Sequence, residues 1–362
     1  MFSPSRAPRL WRLTTVILLL LVAVGAWQYL ARWGSTSPFR DESGKVVSGS
    51  VAAMKRVRLG GVDQSIAIRG RSAKAPILIW LHGGPGQDET GLLRRYNSSL
   101  EDHFLVTYWI QRGTGRSYSS HIPTSSMNIA QYVSDLDELI AYLKKRFGPQ
   151  KVVLVGHSWG SSLGVAYAQA HPENVAAFVG VGQVVNAAEG EKRAYHFALD
   201  EAKKRGNTEA TRELTALGEP PYPIESILVQ REWGEEFGGG NFRKPTSLIN
   251  LMWQSYGTSE VTLMDGIYFL PGANFSLDTM SAENAKVDWW NDAKKFQMPV
   301  FILTGRHDRM LDASLQKAYF DRIDAPIKEF HWFENSAHSP LFEESDAFNK
   351  FIVEKVLPVA RK

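Results

Sequence analysis

A serine at the centre of a glycine-flanked pentapeptide is the residue of this chain best placed to do chemistry. The pentapeptide Gly156-His157-Ser158-Trp159-Gly160 follows the apolar run Val152 to Leu154 and precedes a small-residue helix over Leu163 to Gln169. A strand, a G-x-S-x-G and a helix make a nucleophile elbow, in which glycines let the backbone bend sharply enough to expose the serine hydroxyl. A bare G-x-S-x-G also occurs in glycine-rich loops, but the flanking strand and helix favour a nucleophile. Ser158 is therefore the candidate nucleophile for acyl transfer.

A serine hydroxyl is a weak nucleophile at neutral pH, so it needs a histidine base that a carboxylate orients. Asp308 follows a predicted strand over Pro299 to Gly305, and His338 follows a second one over Ile327 to Phe333. Parallel strands place functional groups at their carboxyl ends, so these side chains should meet at one edge of a sheet. The chain order serine, acid, histidine is also that of a known triad. We predict a catalytic triad of Ser158, Asp308 and His338.

Other residues near these loops are weaker candidates for the base and the acid. His307 is adjacent to the acid, and His331 lies inside its strand, where its side chain would point to one face of the sheet. An aspartate after a strand is commonly a turn residue or a helix cap, and Asp312 offers such a cap just downstream. Three suitable residues in the required order make chance a poor explanation.

The attacked carbonyl oxygen becomes negative, and preorganised backbone N–H groups must stabilise it. One predicted donor is the amide of Trp159, directly after the nucleophile. The second should come from the loop Leu81 to Gly86, which follows a predicted strand over Ala75 to Trp80. Its glycines can turn the amides of Gly83 or Gly84 inward, whereas a plain glycine turn is the alternative.

Three motifs together resemble the proline iminopeptidase family of α/β-hydrolases. They are His82-Gly83-Gly84-Pro85-Gly86, Gln111-Arg112-Gly113-Thr114-Gly115-Arg116-Ser117 and Gly156-His157-Ser158-Trp159-Gly160-Ser161. The resemblance, which extends from about Val57 to the C-terminus, implies an α/β-hydrolase fold and a serine peptidase that removes an N-terminal residue, often proline. Carried over by position, it implies Ser158, Asp308 and His338 as the triad and Gly84 and Trp159 as the oxyanion donors.

Two departures from the family concern the substrate. His157 stands where the family more often has a small residue, and Asn274 stands in a segment where relatives carry an acid that holds the substrate ammonium. Losing such a contact would cost about 1.5 to 3 kcal/mol, or one to two decades in specificity. Other acids of the region are Glu225, Glu232, Glu235, Glu236 and Glu260. The alternatives are an esterase, lactonase or amidase acting on substrates without a free amine, and a non-catalytic capped binding module.

Length and composition fit one hydrolase domain with an insertion. The chain has 362 residues, of which 44% are hydrophobic, and this is ample for one core. We predict a core of residues 51–183 and 298–362 and a mostly helical cap of residues 184–297. Within the cap, Ala187 to Leu217 has a helical composition, which the run Gly218 to Pro223 ends. Several aromatic residues should form the cap's own core or line a pocket: Trp233, Phe237, Phe242, Trp253, Tyr256, Tyr268 and Phe269.

The first fifty residues are a separate part of the chain. Residues 1–12 carry three arginines, residues 13–31 are an uncharged stretch of nineteen, and residues 32–50 are a polar linker. At about 1.5 Å per residue, the uncharged stretch can span a ~30 Å hydrocarbon core. The arginines favour an inside N-terminus, so we predict a single-pass transmembrane signal anchor with the hydrolase domain in the periplasm or outside the cell. The alternative is a signal peptide cleaved near Val24 to Ala26, which gives a secreted or periplasmic protein.

The net charge, the cysteine count and the spacing of the histidines indicate which kinds of partner and cofactor to expect. The formal net charge is +3, but residues 1–40 hold five basic and no acidic residues, which leaves 36 basic and 38 acidic residues in the rest. The nearly neutral body does not favour nucleic-acid binding. There are no cysteines, and the nine histidines show no metal-ligand spacing. We expect chemistry without cofactor or metal on a small molecule or short peptide, and the sequence makes no prediction of oligomeric state.

Overall fold

The computed structural model describes residues 7–32, 36–256 and 258–362, and its centre is an eight-stranded sheet. The strands are β1 (Val51–Leu59), β2 (Val62–Gly70), β3 (Ile77–Leu81), β4 (Leu105–Ile110), β5 (Val152–His157), β6 (Val175–Val181), β7 (Val300–Gly305) and β8 (Lys328–Phe333). Their order across the sheet is β1-β2-β4-β3-β5-β6-β7-β8. The pairs β1-β2 and β2-β4 are antiparallel, and the other pairs are parallel. The parallel strands end at one edge, where Ser158, Asp308 and His338 follow β5, β7 and β8.

Helices precede, connect and follow the strands. They are α1 (Ala7–Arg32), α2 (Thr90–Tyr96), α3 (Ile129–Phe147), α4 (Trp159–Ala170), α5 (Ala187–Lys204), α6 (Thr208–Leu217), α7 (Ile224–Glu236), α8 (Leu248–Tyr256), α9 (Leu263–Asn284), α10 (Trp289–Asp292), α11 (Ala313–Arg322), α12 (Pro340–Glu343), α13 (Ser345–Phe351) and α14 (Leu357–Ala360). One π-helical turn, Ile352–Val356, joins α13 to α14. The predicted nucleophile helix thus begins earlier than its apolar pattern indicated, directly after Ser158.

Two apolar cores lie on opposite faces of the sheet, because successive side chains of a strand point to opposite faces. In β3, Ile77, Ile79 and Leu81 contact the core under α3 and α4, whereas Leu78 and Trp80 contact the core under the C-terminal helices. All five side chains are at most 2% exposed. Burying an aliphatic side chain of this size contributes about 1.5–3 kcal/mol. The central strands are therefore firmly held, and so are the loops that start from their ends.

The predicted cap region consists of helices α5 to α10, and no strand lies in the described part of residues 187–292. The helical run expected over Ala187 to Leu217 is divided in two. The break falls where Gly206 takes a φ of +65° and the side chain of Asn207 accepts the N–H of Ala210, which caps α6. The predicted domain boundaries themselves stay a prediction.

Helix α9 packs directly on two glycine loops of the core. A Cβ atom on Gly272 would lie 2.9 Å from the carbonyl oxygen of Gly113 and 2.9 Å from the nitrogen of Gly115. A Cβ atom on Gly86 would lie 2.9 Å from the Cα of Ala273. Small residues on both sides therefore let this helix approach the loop that the sequence predicts for the oxyanion.

Helix α1 contains the stretch that was predicted to span a membrane. Large apolar side chains from Leu13 to Trp27 are exposed along it. Among the residues that the structure describes, however, no helix is long and apolar enough to cross a membrane. The helix forms, but the transmembrane span predicted over residues 13–31 is not supported. Residues 1–6 of the predicted basic segment and residues 33–35 of the predicted linker lie outside the described residues.

Candidate active site

Ser158 occupies the sharp turn between β5 and α4. Its φ of 55° and ψ of −124° are a conformation that costs a residue other than glycine about 1–3 kcal/mol. The neighbouring glycines permit this turn, because a Cβ atom on Gly156 would overlap the backbone of Gly160, and one on Gly160 would overlap the carbonyl oxygen of Leu81. The N–H of Ser158 donates to the carbonyl oxygen of Val181 at 2.9 Å. The sequence of the elbow thus fixes the backbone and leaves the serine partly exposed.

Asp308 and His338, which come from different loops, are in direct contact. Nδ1 of His338 lies 2.9 Å from Oδ2 of Asp308, and both side chains are buried. The same carboxylate accepts the N–H of Leu311 at 3.0 Å and a side-chain N–H of Gln316 at 2.8 Å. Burial opposes the ionisation of Asp308, but His338 and these donors together hold the pKa of that carboxyl below its usual value. An ionised Asp308 fixes the histidine tautomer with its hydrogen on Nδ1.

The other nitrogen of His338 is left free for a proton transfer. Nε2 is buried and has no hydrogen-bond partner among the described residues, so no hydrogen bond joins it to Ser158. The two residues nevertheless lie near each other. The ring of His338 packs on Gly182, and the preceding residue, Val181, accepts the N–H of Ser158 through its carbonyl oxygen. Catalytic hydrogen bonds are often long in unliganded enzymes and tighten in the complex. The structure therefore brings the three predicted triad residues to one edge of the sheet.

His82 orients the predicted oxyanion loop. Its Nε2 accepts the N–H of Gln111 at 3.1 Å, and its Nδ1 donates to the carbonyl oxygen of Gly83 at 3.0 Å. Burial lowers the pKa of His82, which keeps the ring neutral. The C=O and N–H of one trans peptide point in opposite directions, so a fixed Gly83 carbonyl also fixes the direction of the Gly84 N–H. Gly84 has a φ of +111°, which favours glycine.

The two predicted oxyanion donors flank the nucleophile. A Cβ atom on Gly83 would lie 3.1 Å from the Cβ of Ser158, so the glycine loop passes directly beside the serine. Trp159 is the first residue of α4, where backbone N–H groups have no partner inside the helix. Its indole N–H donates to Asn284 of α9 at 2.8 Å. The amides of Gly84 and Trp159 are thus placed on elements that meet at Ser158.

A cavity of about 480 Å³ lies between the core and helices α7 to α9. Its wall includes His157 and Ser339, the sequence neighbours of Ser158 and His338, although neither of the latter two lines it. Among the residues that the structure describes, five carboxylates line the cavity but only one lysine or arginine, Arg231; the acids are Asp88, Glu89, Glu232, Glu235 and Asp265. Within the described residues, no group of three or more metal-ligating side chains is placed to hold a metal ion.

The predicted cap acids are used in different ways. Glu232 and Glu235 line the cavity, and burial raises the pKa of Glu235. Glu260 does not line it, because its buried carboxylate contacts Arg94 at 3.2 Å and Arg69 at 3.6 Å. Glu236 and Asn274 are exposed and lie outside the cavity wall, and the side chain of Glu225 lies outside the described residues.

The predicted cap aromatics serve both uses that the sequence left open. Phe242, Tyr256 and Phe269 line the cavity. Trp233 and Phe237 instead stack on each other within the cap, with ring centroids 5.8 Å apart. The cap therefore has a small core of its own and an aromatic wall toward the cavity.

Gln316 is a site residue that sequence reasoning missed. It is completely buried, donates to Asp308 and accepts the N–H of Gln183 at 2.9 Å and the hydroxyl of Thr304 at 2.8 Å. No motif marks it. The available signal was weak: it lies one helical turn after Asp312, the cap of α11, on the face that a glutamine would not normally bury.

Comparison with known proteins identifies the family. Residues 76–345 match the model of the family described as alpha/beta hydrolase fold. The probable aminopeptidase YbaC of Bacillus subtilis is 31% identical over 300 residues, which cover 83% of this chain and 94% of that protein. The proline iminopeptidase of Heyndrickxia coagulans is 24% identical over 284 residues, which cover 75% of this chain and 87% of that protein.

A solved structure has the same fold. The crystal structure of proline iminopeptidase from Mycobacterium smegmatis matches with a TM-score of 0.62 at 16% identity, covering 85% of this chain and 98% of that one. The fold predicted for the core is thereby confirmed. The chain belongs to the α/β-hydrolase family and is a hydrolase related to the proline iminopeptidases.

Proposed function

We propose that this hydrolase is a serine aminopeptidase that removes N-terminal residues from short peptides through an acyl-enzyme. The observation that carries the proposal is the hydrogen bond between His338 and Asp308, at the sheet edge where Ser158 sits on its strained turn. The aminopeptidase and proline iminopeptidase names of the curated relatives support the reaction class.

The proposed mechanism has two half-reactions. Nε2 of His338 accepts the proton of Ser158 as its oxygen attacks the peptide carbonyl, and the amides of Gly84 and Trp159 receive the oxyanion. His338 then gives that proton to the leaving amine as the C–N bond breaks. In the second half, His338 accepts a proton from water as the water oxygen attacks the ester carbonyl. His338 then gives that proton to the Ser158 oxygen as the ester bond breaks, which releases the acid product. Asp308 stabilises the imidazolium in both.

The cavity supports a substrate with a free amine. Glu232 and Glu235 face it from α7, and Asp88 faces it from the core. The cation of the wall, Arg231, is engaged with Glu191. Pockets of 300–1,000 Å³ hold ligands of drug size, so a cavity of about 480 Å³ has room for a short peptide.

A second candidate is the hydrolysis of esters, lactones or amides that lack a free amine. It is favoured by the state of the predicted amine ligands: Glu260 is engaged with two arginines, and Asn274 is neutral and exposed. This leaves fewer acids for an ammonium group than the aminopeptidase relatives led us to expect.

Paired assays separate the two candidates. The purified protein is given proline p-nitroanilide, the same compound with its amine acetylated, and the p-nitrophenyl ester of a short acid. An aminopeptidase cleaves the first and loses at least tenfold in kcat/KM on acetylation, because the charge-assisted contact is gone. Equal rates on the free and acetylated anilides, or cleavage of the ester alone, would overturn the aminopeptidase proposal. Ser158→Ala is the control that must abolish all three activities.

We also propose that α1 holds the hydrolase domain on the periplasmic or extracellular face of a membrane. The exposed apolar side chains of α1 and the three arginines of residues 1–12, which precede the apolar stretch, support this location. Expressed in cells, the chain should stay with membranes after an alkaline carbonate wash, and external protease should digest its hydrolase domain in spheroplasts. A soluble product beginning after Ala26 would instead indicate signal cleavage.

A further inference from the structure

His157 and Glu89 form a buried hydrogen-bonded pair beside the nucleophile. Nδ1 of His157 lies 2.6 Å from Oε1 of Glu89, and its Nε2 lies 3.2 Å from the backbone carbonyl oxygen of His338. The second oxygen of Glu89 accepts the N–H of Gly83 at 3.3 Å. Only 4% of His157 and 7% of Glu89 are exposed. One chain of hydrogen bonds thus runs from the glycine loop to the loop of the predicted base.

The contacts of His157 define its protonation. Both ring nitrogens face oxygens that only accept, a carboxylate and a carbonyl, so the ring carries a hydrogen on each nitrogen. Burial opposes the charged form, but the charge and hydrogen bond of Glu89 outweigh it and raise the pKa of His157.

Neither residue is placed to react. The ring centroids of His157 and His338 are 5.0 Å apart, and His157 reaches the backbone of His338 but not its Nε2. Glu89 reaches the amide of Gly83, one residue before the predicted oxyanion donor. A small residue at position 157, which is more usual in the family, could make neither contact. The histidine at position 157, where the family more often has a small residue, therefore makes two contacts that a small residue could not make.

We propose that Glu89 and His157 are a positioning pair that holds the glycine loop and the loop of His338 in place on either side of Ser158. This inference rests on the proposed serine-hydrolase function. It assigns these two residues to the same site without making them part of the proton transfer.

The test uses the full chain and a fluorophosphonate, which reacts with an activated serine whatever the natural substrate. His157→Phe and Glu89→Leu should lower the maximal labelling rate about 10- to 100-fold, since each removes hydrogen bonds to a charged group, while the probe concentration for half-maximal rate stays within about threefold. Glu89→Gln should keep at least a third of the rate, because its amide can accept from Gly83 and donate to a neutral His157 ring. His171→Gln is the matched control, since His171 is a half-exposed histidine facing Asp137 and Glu173 at the end of α4.

Rates are corrected for the folded fraction, measured by circular dichroism. Labelling of His157→Phe at the normal rate would overturn the proposal, and so would a Glu89→Gln variant as slow as Glu89→Leu. If the variants do not fold, a measurement on the unmodified protein tests the proposal instead. Imidazole ¹⁵N–¹H spectra should show two protonated nitrogens for His157 at pH 7, and a single protonated nitrogen would refute the proposed pairing of His157 with Glu89. If the unmodified protein is not labelled at Ser158, the proposed function fails and not the pairing.

Discussion

The three side chains at the sheet edge are held by different means. Ser158 is placed by its backbone turn, whereas Asp308 is placed by hydrogen bonds from His338, Leu311 and Gln316. A carboxylate with several donors is fixed in both charge and orientation. Three contacts therefore hold the carboxylate of Asp308 in one orientation.

Replacement of Asp308 tests this arrangement. Asp308→Asn should leave the fold intact but lower kcat about 10⁴-fold, because an amide can donate to Nδ1 and so stabilise the wrong tautomer of His338. The measurement is kcat and KM on whichever p-nitrophenyl or p-nitroanilide substrate the protein cleaves. Asp321→Asn, at an exposed aspartate of α11 paired with Lys317, should be normal. A loss below tenfold at position 308 would contradict the assigned role.

The sequence predicts residues that belong to motifs and misses those that support them. Ser158, Asp308 and His338 stand out because each follows an apolar strand in the order that the chemistry needs. Gln316 and Glu89 act on this site through contacts made only after folding, and no spacing in the sequence links them to it. His157 stood out as a departure from a family pattern, but its partners are 68 and 181 residues away.

At the scale of elements, the elbow depends on how closely α4 approaches β3. A Cβ atom on Gly160 would overlap the carbonyl oxygen of Leu81, whereas one on Gly190, in α5, would have no neighbour within 4 Å. Both glycines are helical and buried. They therefore form a pair of buried helical glycines that contrast in the space around them.

Gly160→Ala and Gly190→Ala should change stability in opposite directions. The first should lower the free energy of unfolding by about 1–3 kcal/mol or more, because the added methyl group displaces backbone atoms. The second should raise it by up to about 1 kcal/mol, because alanine favours the helix. Urea unfolding of both variants measures their free energies of unfolding. Similar values for the two would show that the elbow has space for a methyl group at position 160.

Glu343 links the cap to the loop of His338. Its carboxyl oxygens accept the N–H of Arg243 at 2.6 Å and the N–H of Ala337 at 2.8 Å. Burial, aided by the nearby Glu235 and Glu344, raises the pKa of Glu343 to about 7 despite these two donors. The acid is thus half protonated near neutral pH.

This raised pKa predicts a dependence of stability on pH. The folded protein binds the Glu343 proton more tightly than the unfolded chain, so its contribution to stability is full below about pH 4.5 and is lost as the pH rises through about 7. Glu343→Gln stays neutral and should lose less unfolding free energy than the unmodified protein between pH 5 and 7.5. Urea titrations at the two pH values provide the comparison, and parallel losses would contradict the raised pKa.

Over the whole molecule, a buried ionic cluster joins the cap to the sheet. Arg69 of β2 contacts Glu101 at 2.9 Å and Glu260 at 3.6 Å. Arg94 of α2 contacts the same two carboxylates. Burial opposes the ionisation of Glu260, but Arg94, Thr36 and Arg69 hold its pKa below the usual value. The four side chains balance in charge, and they connect parts of the chain more than 150 residues apart.

Breaking this cluster should loosen the cap. Glu260→Leu removes one of the two carboxylates that balance Arg69 and Arg94 and leaves an excess positive charge buried with Glu101, which costs about 3–5 kcal/mol. We therefore expect faster proteolysis of the cap as well as a lower Tm. The exposed pair Arg58 and Asp63 is the control, since Asp63→Asn should change stability by less than about 1 kcal/mol. Unchanged proteolysis in Glu260→Leu would show that the cap is held by other contacts.

The sequence predicts the core of the molecule better than its cap. Strands such as β7 are apolar runs bounded by turn residues, so their pattern and their burial agree. The cap acids look alike in sequence, yet Glu232 reaches the cavity and Glu260 is buried among arginines. Which acid faces the substrate depends on how α7 to α9 lie on the core, and helical periodicity alone does not determine that.

The close seating of α9 has a consequence for engineering. A Cβ atom on Gly272 would meet the backbone of the Gly113 loop, and one on Gly86 would meet the backbone of Ala273. A chimera that takes its lid from a relative would then keep a working oxyanion loop only if the incoming helix carries glycine at position 272 and lies equally close to Gly86. Exchange of specificity between such hydrolases is therefore limited first by a steric match of backbones and only afterwards by the pocket lining.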